Sequence, residues 1–199
     1  MTKTLDELNR EASVCTRCRL ASGRTQVVFG VGNPDADVMF IGEGPGYHED
    51  KQGEPFVGAA GQLLNQLLSE IEIPRSDVYI NNVILCRPPG NRDPLPDELD
   101  ACKPWLDERI EIIDPAVVVT LGNWATRYIL GRQVSISRVR GQRFPWAGRT
   151  VIPTFHPAAV LHGGGQASDQ MTALRADFRE IRAALAERPA PVEEQLGLF

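Results

Sequence analysis

No apolar run in the 199 residues approaches the ~20 needed to cross a bilayer. The opening stretch, Met1 to Glu7, lacks the basic-then-apolar pattern of a secretory leader, so the expected residence is the cytoplasm and no membrane partner is expected. No Gly-Lys-Ser/Thr follows any glycine-rich loop, which excludes a Walker phosphate site, and no dinucleotide fingerprint is present. Acidic residues are missing altogether from Pro115 to Ser168, although the chain as a whole is acidic, with 26 Asp and Glu against 21 Lys and Arg. In that acid-free segment Arg127, Arg132, Arg138, Arg140, Arg143 and Arg149 supply +6. The rest of the chain therefore carries −11, the −5 total less this +6. Such a segment can present one surface to a polyanion while the remainder repels nonspecific contacts.

What is present is the mix of a globular domain with a real core: 42% apolar and 24% charged residues. One domain over residues 1–188 is expected, followed by a tail over 189–199 where Pro189 and Pro191 break regular structure. Nothing in the chain requires more than a monomer. Thr4 caps a first helix reaching about Ala12. Residues 27–29, 38–41, 78–80 and 117–119 read as buried strands, and residues 42–58, with five glycines and two prolines, as a long loop. Helices are expected over about 63–71, 97–113, 122–130 and 168–187, and a hairpin over 143–154 turning at Ala147-Gly148. Strands alternating with helices imply an α/β fold with a parallel sheet covered on both faces, which binds ligands at the carboxyl ends of its strands.

Four cysteines occur: Cys15 and Cys18 as Cys-x2-Cys, then Cys86 and Cys102. In a cytosolic protein this pattern points to metal ligation rather than to disulfides, and four thiolates suit either Zn²⁺ or a [4Fe–4S] cluster. Three strand ends carry Gly42-Glu43-Gly44-Pro45-Gly46, Asn82 and Phe155-His156-Pro157, all expected to open onto one crevice. With Phe56, they supply a carboxylate, an aromatic plate, an amide and an imidazole, a set able to hold a planar heterocycle.

At these motifs the sequence resembles the iron–sulfur (family four) uracil-DNA glycosylases. The likeness runs through Cys15-Thr16-Arg17-Cys18, Gly42 to Gly46, Glu49-Asp50, Pro55-Phe56-Val57-Gly58, Gly61 to Asn65, Asn82, Cys86-Arg87-Pro88-Pro89 and His156-Pro157-Ala158. It implies a three-layer α/β/α fold with a central four-stranded parallel sheet and a monofunctional, base-flipping glycosylase that starts base-excision repair by releasing uracil from single- or double-stranded DNA. It further implies that Cys15, Cys18, Cys86 and Cys102 hold a [4Fe–4S] cluster, that Phe56 stacks on uracil and that Asn82 reads its edge. His156 then stabilises charge on the uracil carbonyl, Glu43 and Gly44 line the site near the sugar and the attacking water, and Glu49 fills the space of a thymine methyl. Tyr47-His48 depart from the family, many of whose members are acidic there. No lysine matches a Schiff-base role, so no lyase step is expected.

Within the resemblance, residues 156–165 look like a minor-groove loop with Leu161 as an apolar wedge, and Arg138, Arg140 and Arg143 are the expected phosphate contacts. The last five residues resemble a bacterial sliding-clamp-binding peptide, with Gln195, Leu196, Leu198 and Phe199 as its anchors. Two rivals belong to other classes: a noncatalytic DNA- or clamp-binding module retaining the fold, and a zinc hydrolase of free nucleosides or nucleotides.

Overall fold

The computed structural model describes residues 3–187. The first helix, α1 (Leu5–Ser13), begins in a capping box: Thr4 Oγ1 accepts from the Glu7 amide at 3.2 Å, and the Glu7 carboxylate accepts from the Thr4 amide at 2.8 Å. Residues 27–29 form no strand, although Val28 and Phe29 are buried as the sequence implies and Val27 is partly so. The first strand, β1 (Val31–Gly32), is displaced beyond them. Gly30 and Gly32 adopt φ of +135° and +134°, which interrupts extended pairing, and the Tyr79 ring lies where a side chain on Gly30 would stand.

The sheet is completed by β2 (Val38–Gly42), β3 (Tyr79–Asn82), β4 (Val117–Leu121), β5 (Phe144–Trp146) and β6 (Arg149–Thr154), in the spatial order β1-β3-β2-β4-β6-β5. The four inner strands are parallel, as expected. The two edge strands are antiparallel additions that make the sheet six-stranded and mixed.

One face packs α3 (Ala59–Glu70) and α8 (Asp169–Ala186), whose Phe178 stacks on Phe40 with centroids 5.8 Å apart. The other face takes α4 (Pro96–Ile113) and α5 (Gly122–Leu130), giving three layers. Two short helices lie inside segments read as loop, α2 (Tyr47–Gln52) and α7 (Pro157–His162), and a third, α6 (Ile136–Val139), in a segment given no element from the sequence. Among the described residues no helix is long and apolar enough to cross a membrane.

Candidate functional site

The inner strands end side by side, and their exits build one cleft of about 700 Å³ lined by Glu43, Gly44, Glu49, Phe56, Asn82 and His156, among others. That volume is within the ~300–1,000 Å³ range typical of small-molecule sites. Gly42 pairs in register with Asn82, and a Cβ on Gly42 would stand 2.4 Å from Asn82 Oδ1 and 2.8 Å from Phe56 Cζ. The bare backbone at this strand end is what lets the amide and the ring meet.

Phe56 adopts φ of +56°, a conformation costly for an aromatic residue. It is held there from two sides. Arg75 Nη2 donates to the Pro55 carbonyl at 3.0 Å while Nη1 donates to Asn65 Oδ1 at 2.7 Å. The first turn of α3 presses against the Phe56 carbonyl so closely that a Cβ on Gly61 would lie 1.7 Å from its oxygen. Neither contact leaves a local pattern in the sequence.

His156 caps α7, its Nδ1 accepting from the Ala158 amide at 3.2 Å, so the neutral ring carries its proton on Nε2. The ring stacks on Phe56 at 5.5 Å and 29°. Burial pushes its pKa down to about 4, with the Glu49 charge opposing only in part. At neutral pH the site therefore offers an uncharged N–H donor. Gly122 makes room for it, since a Cβ there would come within 3.2 Å of His156 Cβ.

Asn82 is buried, and its Oδ1 has no hydrogen-bond partner among the described residues. Glu43 is half-buried, and that burial, reinforced by the Asp93 charge, pushes its pKa up to about 7. Glu49 Oε1 accepts from the Val57 and Gly58 amides at 3.0 and 3.1 Å, a carboxylate seated at the start of α3. The family resemblance implies that Glu49 is a space-filling group. Its structural contact is an anchor for the segment that follows Phe56.

All four cysteines line a second, separate pocket between the turn after α1, the loop after β3, and α4. No disulfide joins them. Two receive N–H donors, Trp105 Nε1 to Cys15 Sγ and Arg24 Nη1 to Cys86 Sγ, each at 3.4 Å. Burial pushes the Cys102 thiol up to about 12. Among the described residues no group of three or more His, Cys, Asp or Glu is arranged to hold a metal ion. Arg109, seven residues after Cys102, is fully buried and connects the two pockets: it donates to the carbonyls of Trp105, Phe29 and Asn82. A charged residue on the apolar stripe of α4 was the available sign of it.

Of the expected DNA contacts, Leu161 is 38% exposed on α7, a helix where a loop was expected, next to His162 at the cleft. Arg138 is exposed. Arg140 and Arg143 are engaged otherwise. Arg140 Nε donates to the buried Asp177 at 2.9 Å, its Nη2 bonds Asp177 and the Ala173 carbonyl, and Arg143 pairs with Glu180 and Glu187. Acidic groups of α8, and Glu187 just after it, take up these charges, which the acid-free segment alone could not reveal. Gln195, Leu196, Leu198 and Phe199 lie outside the described residues.

The uracil DNA glycosylase superfamily model matches residues 29–182. The chain is 45% identical over 188 residues to the type-4 uracil-DNA glycosylase of Sulfurisphaera tokodaii, covering 90% of this chain and 84% of that protein. Over 159 residues it is 50% identical to the type-4 uracil-DNA glycosylase of Thermotoga maritima, covering 79% and 83%. The homologous enzyme of Archaeoglobus fulgidus, also named type-4, is 45% identical over 168 residues, covering 80% and 84%. This chain belongs to the uracil DNA glycosylase superfamily. Within it, the relatives place the chain in the type-4 family.

Proposed function

We propose that this protein hydrolyses the N-glycosidic bond of deoxyuridine in DNA, releasing uracil and leaving an abasic site. The observation that carries the reading is the neutral, Nε2-protonated His156 stacked on Phe56, with the unpartnered Asn82 Oδ1 in the same cleft. Uracil leaves the helix stack at a cost of a few kcal/mol and enters the cleft, where Phe56 covers one ring face and Asn82 pairs with the amide-like edge. Glu49 fills the position of a thymine methyl and excludes that base. The C1′–N1 bond breaks with its electron pair going to uracil, whose anion takes a hydrogen bond from His156 Nε2–H. One such donor supplies roughly 3–4 kcal/mol. Water adds to C1′ and gives up a proton, for which Glu43, beside Gly44 near the sugar, is the acceptor once ionised. Leu161 enters the gap that the base vacates, and Arg138 contacts a phosphate.

The cysteine pocket fits a [4Fe–4S] cluster in its donor set: four sulfurs from three separate segments, with N–H donors on two of them. A polynuclear centre does not need its ligands gathered on one ion. When bound, it supplies a cross-link holding the N-terminal turn, the loop after β3 and α4 together. In the tail, residues 195–199 serve as a clamp-binding peptide, and their removal abolishes clamp binding while leaving excision from a short oligonucleotide unchanged.

The test is alkaline strand cleavage of a uracil-containing oligonucleotide after incubation with wild type, Asn82→Ala and His156→Ala. Cleavage by wild type and its loss in both variants is expected. Intact strands with wild type overturn the reading in favour of a noncatalytic binding module.

A further inference from the structure

Among the described residues three large hydrophobic side chains are exposed: Val14, Tyr47 and Leu161. Leu161 already has a role beside the cleft. Tyr47, 52% exposed, opens α2 and lines the mouth of the same cleft. Its ring is flanked by cations, the Arg87 guanidinium at 5.1 Å and the Lys51 ammonium at 5.9 Å from its centroid. Arg87 is not a loose side chain, since its Nε donates to Asn91 Oδ1 at 2.7 Å and Asn91 lines the cleft as well. The carboxylates of α2 do not cancel these charges: Glu49 is committed to the Val57 and Gly58 amides, and buried Asp50 accepts from the Thr25 amide at 2.8 Å.

An exposed ring with cations beside it is poor packing but a good receptor for a nucleobase in an anionic strand. Every base has a π-face to stack, and the flanking charges favour the phosphates on either side. Extruding one nucleotide also strips its neighbour of a stacking partner, which leaves a base at the cleft mouth with an open face.

We propose that Tyr47 and Arg87 form a stacking platform for the nucleobase adjacent to the extruded uridine. This rests on the reading of the cleft as a uracil site. The platform binds without regard to base identity, and it favours single-stranded substrate, whose neighbouring base is free to settle on it.

A cycle of substitutions in both molecules tests it, using the full chain and single-stranded oligonucleotides with one uracil. The nucleotide 5′ or 3′ of the uracil is left intact or replaced by a base-free residue. Tyr47→Ala is expected to lower kcat/KM on the intact strand by about 5- to 100-fold, mainly through KM, while Tyr47→Phe keeps wild-type values. Removing the neighbouring base on one side is expected to cost wild type the same factor and to cost Tyr47→Ala nothing further. Equal kcat/KM for Tyr47→Ala and wild type on the intact strand overturns the proposal. So does a deficit that persists unchanged whichever neighbour is removed. If wild type releases no uracil, the reading of the cleft fails instead. The platform is then judged by fluorescence anisotropy on the same strands, where equal affinities for Tyr47→Ala and wild type overturn it.

Discussion

Arg109 Nη2 lies 3.2 Å from the carbonyl oxygen of Asn82, so the residue that faces the cleft is held from beneath by a guanidinium with no exposed surface. Burial pulls that guanidinium's pKa down to about 10, yet it stays charged, with carbonyl oxygens of Phe29, Trp105 and Asn82 around it. Replacing Arg109 by Met removes the charge and strands the Phe29 and Asn82 carbonyls, while the Trp105 carbonyl keeps its helical bond from the residue 109 amide. Each unmet acceptor costs ~1–3 kcal/mol, so the urea midpoint is expected to fall by the equivalent of at least ~2 kcal/mol. An unchanged midpoint is the contrary result.

His156 should titrate far below an ordinary histidine. Its folded pKa of about 4 lies below the usual 6.5, so between those values the unfolded chain binds the extra proton. Stability is therefore full above pH 6.5 and declines as pH falls toward 4, and His156→Asn removes this dependence. In an NMR titration its ring signals are expected to stay in the neutral form through pH 6. Loss of its donor in His156→Ala should lower kcat by ~10²- to 10³-fold.

Glu43 behaves in the opposite sense. Burial first, and the Asp93 charge second, raise its pKa to about 7, so the carboxylate form dominates only above that pH. The excision rate is expected to rise through a midpoint near pH 7. Glu43→Gln abolishes that limb at a lower plateau, and Asp93→Asn moves the midpoint downward. A wild-type profile flat from pH 5 to 9 removes Glu43 from any proton-accepting role.

Arg140 and Arg138 should separate cleanly. Arg140→Ala leaves Asp177 buried with Thr154, whose hydroxyl donates to it at 2.6 Å, as its side-chain donor. The loss is expected to be ~3 kcal/mol, seen as a lower melting temperature, with the salt dependence of DNA binding unchanged. Arg138→Ala should do the reverse, keeping the melting temperature and reducing the salt slope by about one.

The elements that could be read from the sequence were those with local signatures. Residues 38–41, 78–80 and 117–119 are continuous apolar runs, and a parallel strand buried on both faces writes itself in that way. Thr4 announced α1, and the helical spacing over about 168–187 announced α8. The helix α2 was hidden because one tyrosine and five polar residues among glycines and prolines show no period. The edge strand was misplaced because burial of Val28 and Phe29 looks the same in a loop as in a strand. In the cleft, Glu43, Asn82 and His156 were legible as strand-end residues, since the topology brings such ends together whatever the loops do, and Phe56 was legible through the family motif that carries it. Arg75, Arg109 and Arg140 were not, because their partners stand 20, 27 and 37 residues away and fold-dependent pairs leave no mark in neighbouring positions.

The missing side chain at Gly42 has a historical corollary. Because an added methyl group there would collide with Asn82 and Phe56 together, the three positions form one lock, and no side chain on Gly42 leaves the other two in place. A descendant that came to prefer a bulkier lesion would have to pass through coordinated changes at all three. Drift in base preference should therefore begin at the rim of the cleft and reach its floor last.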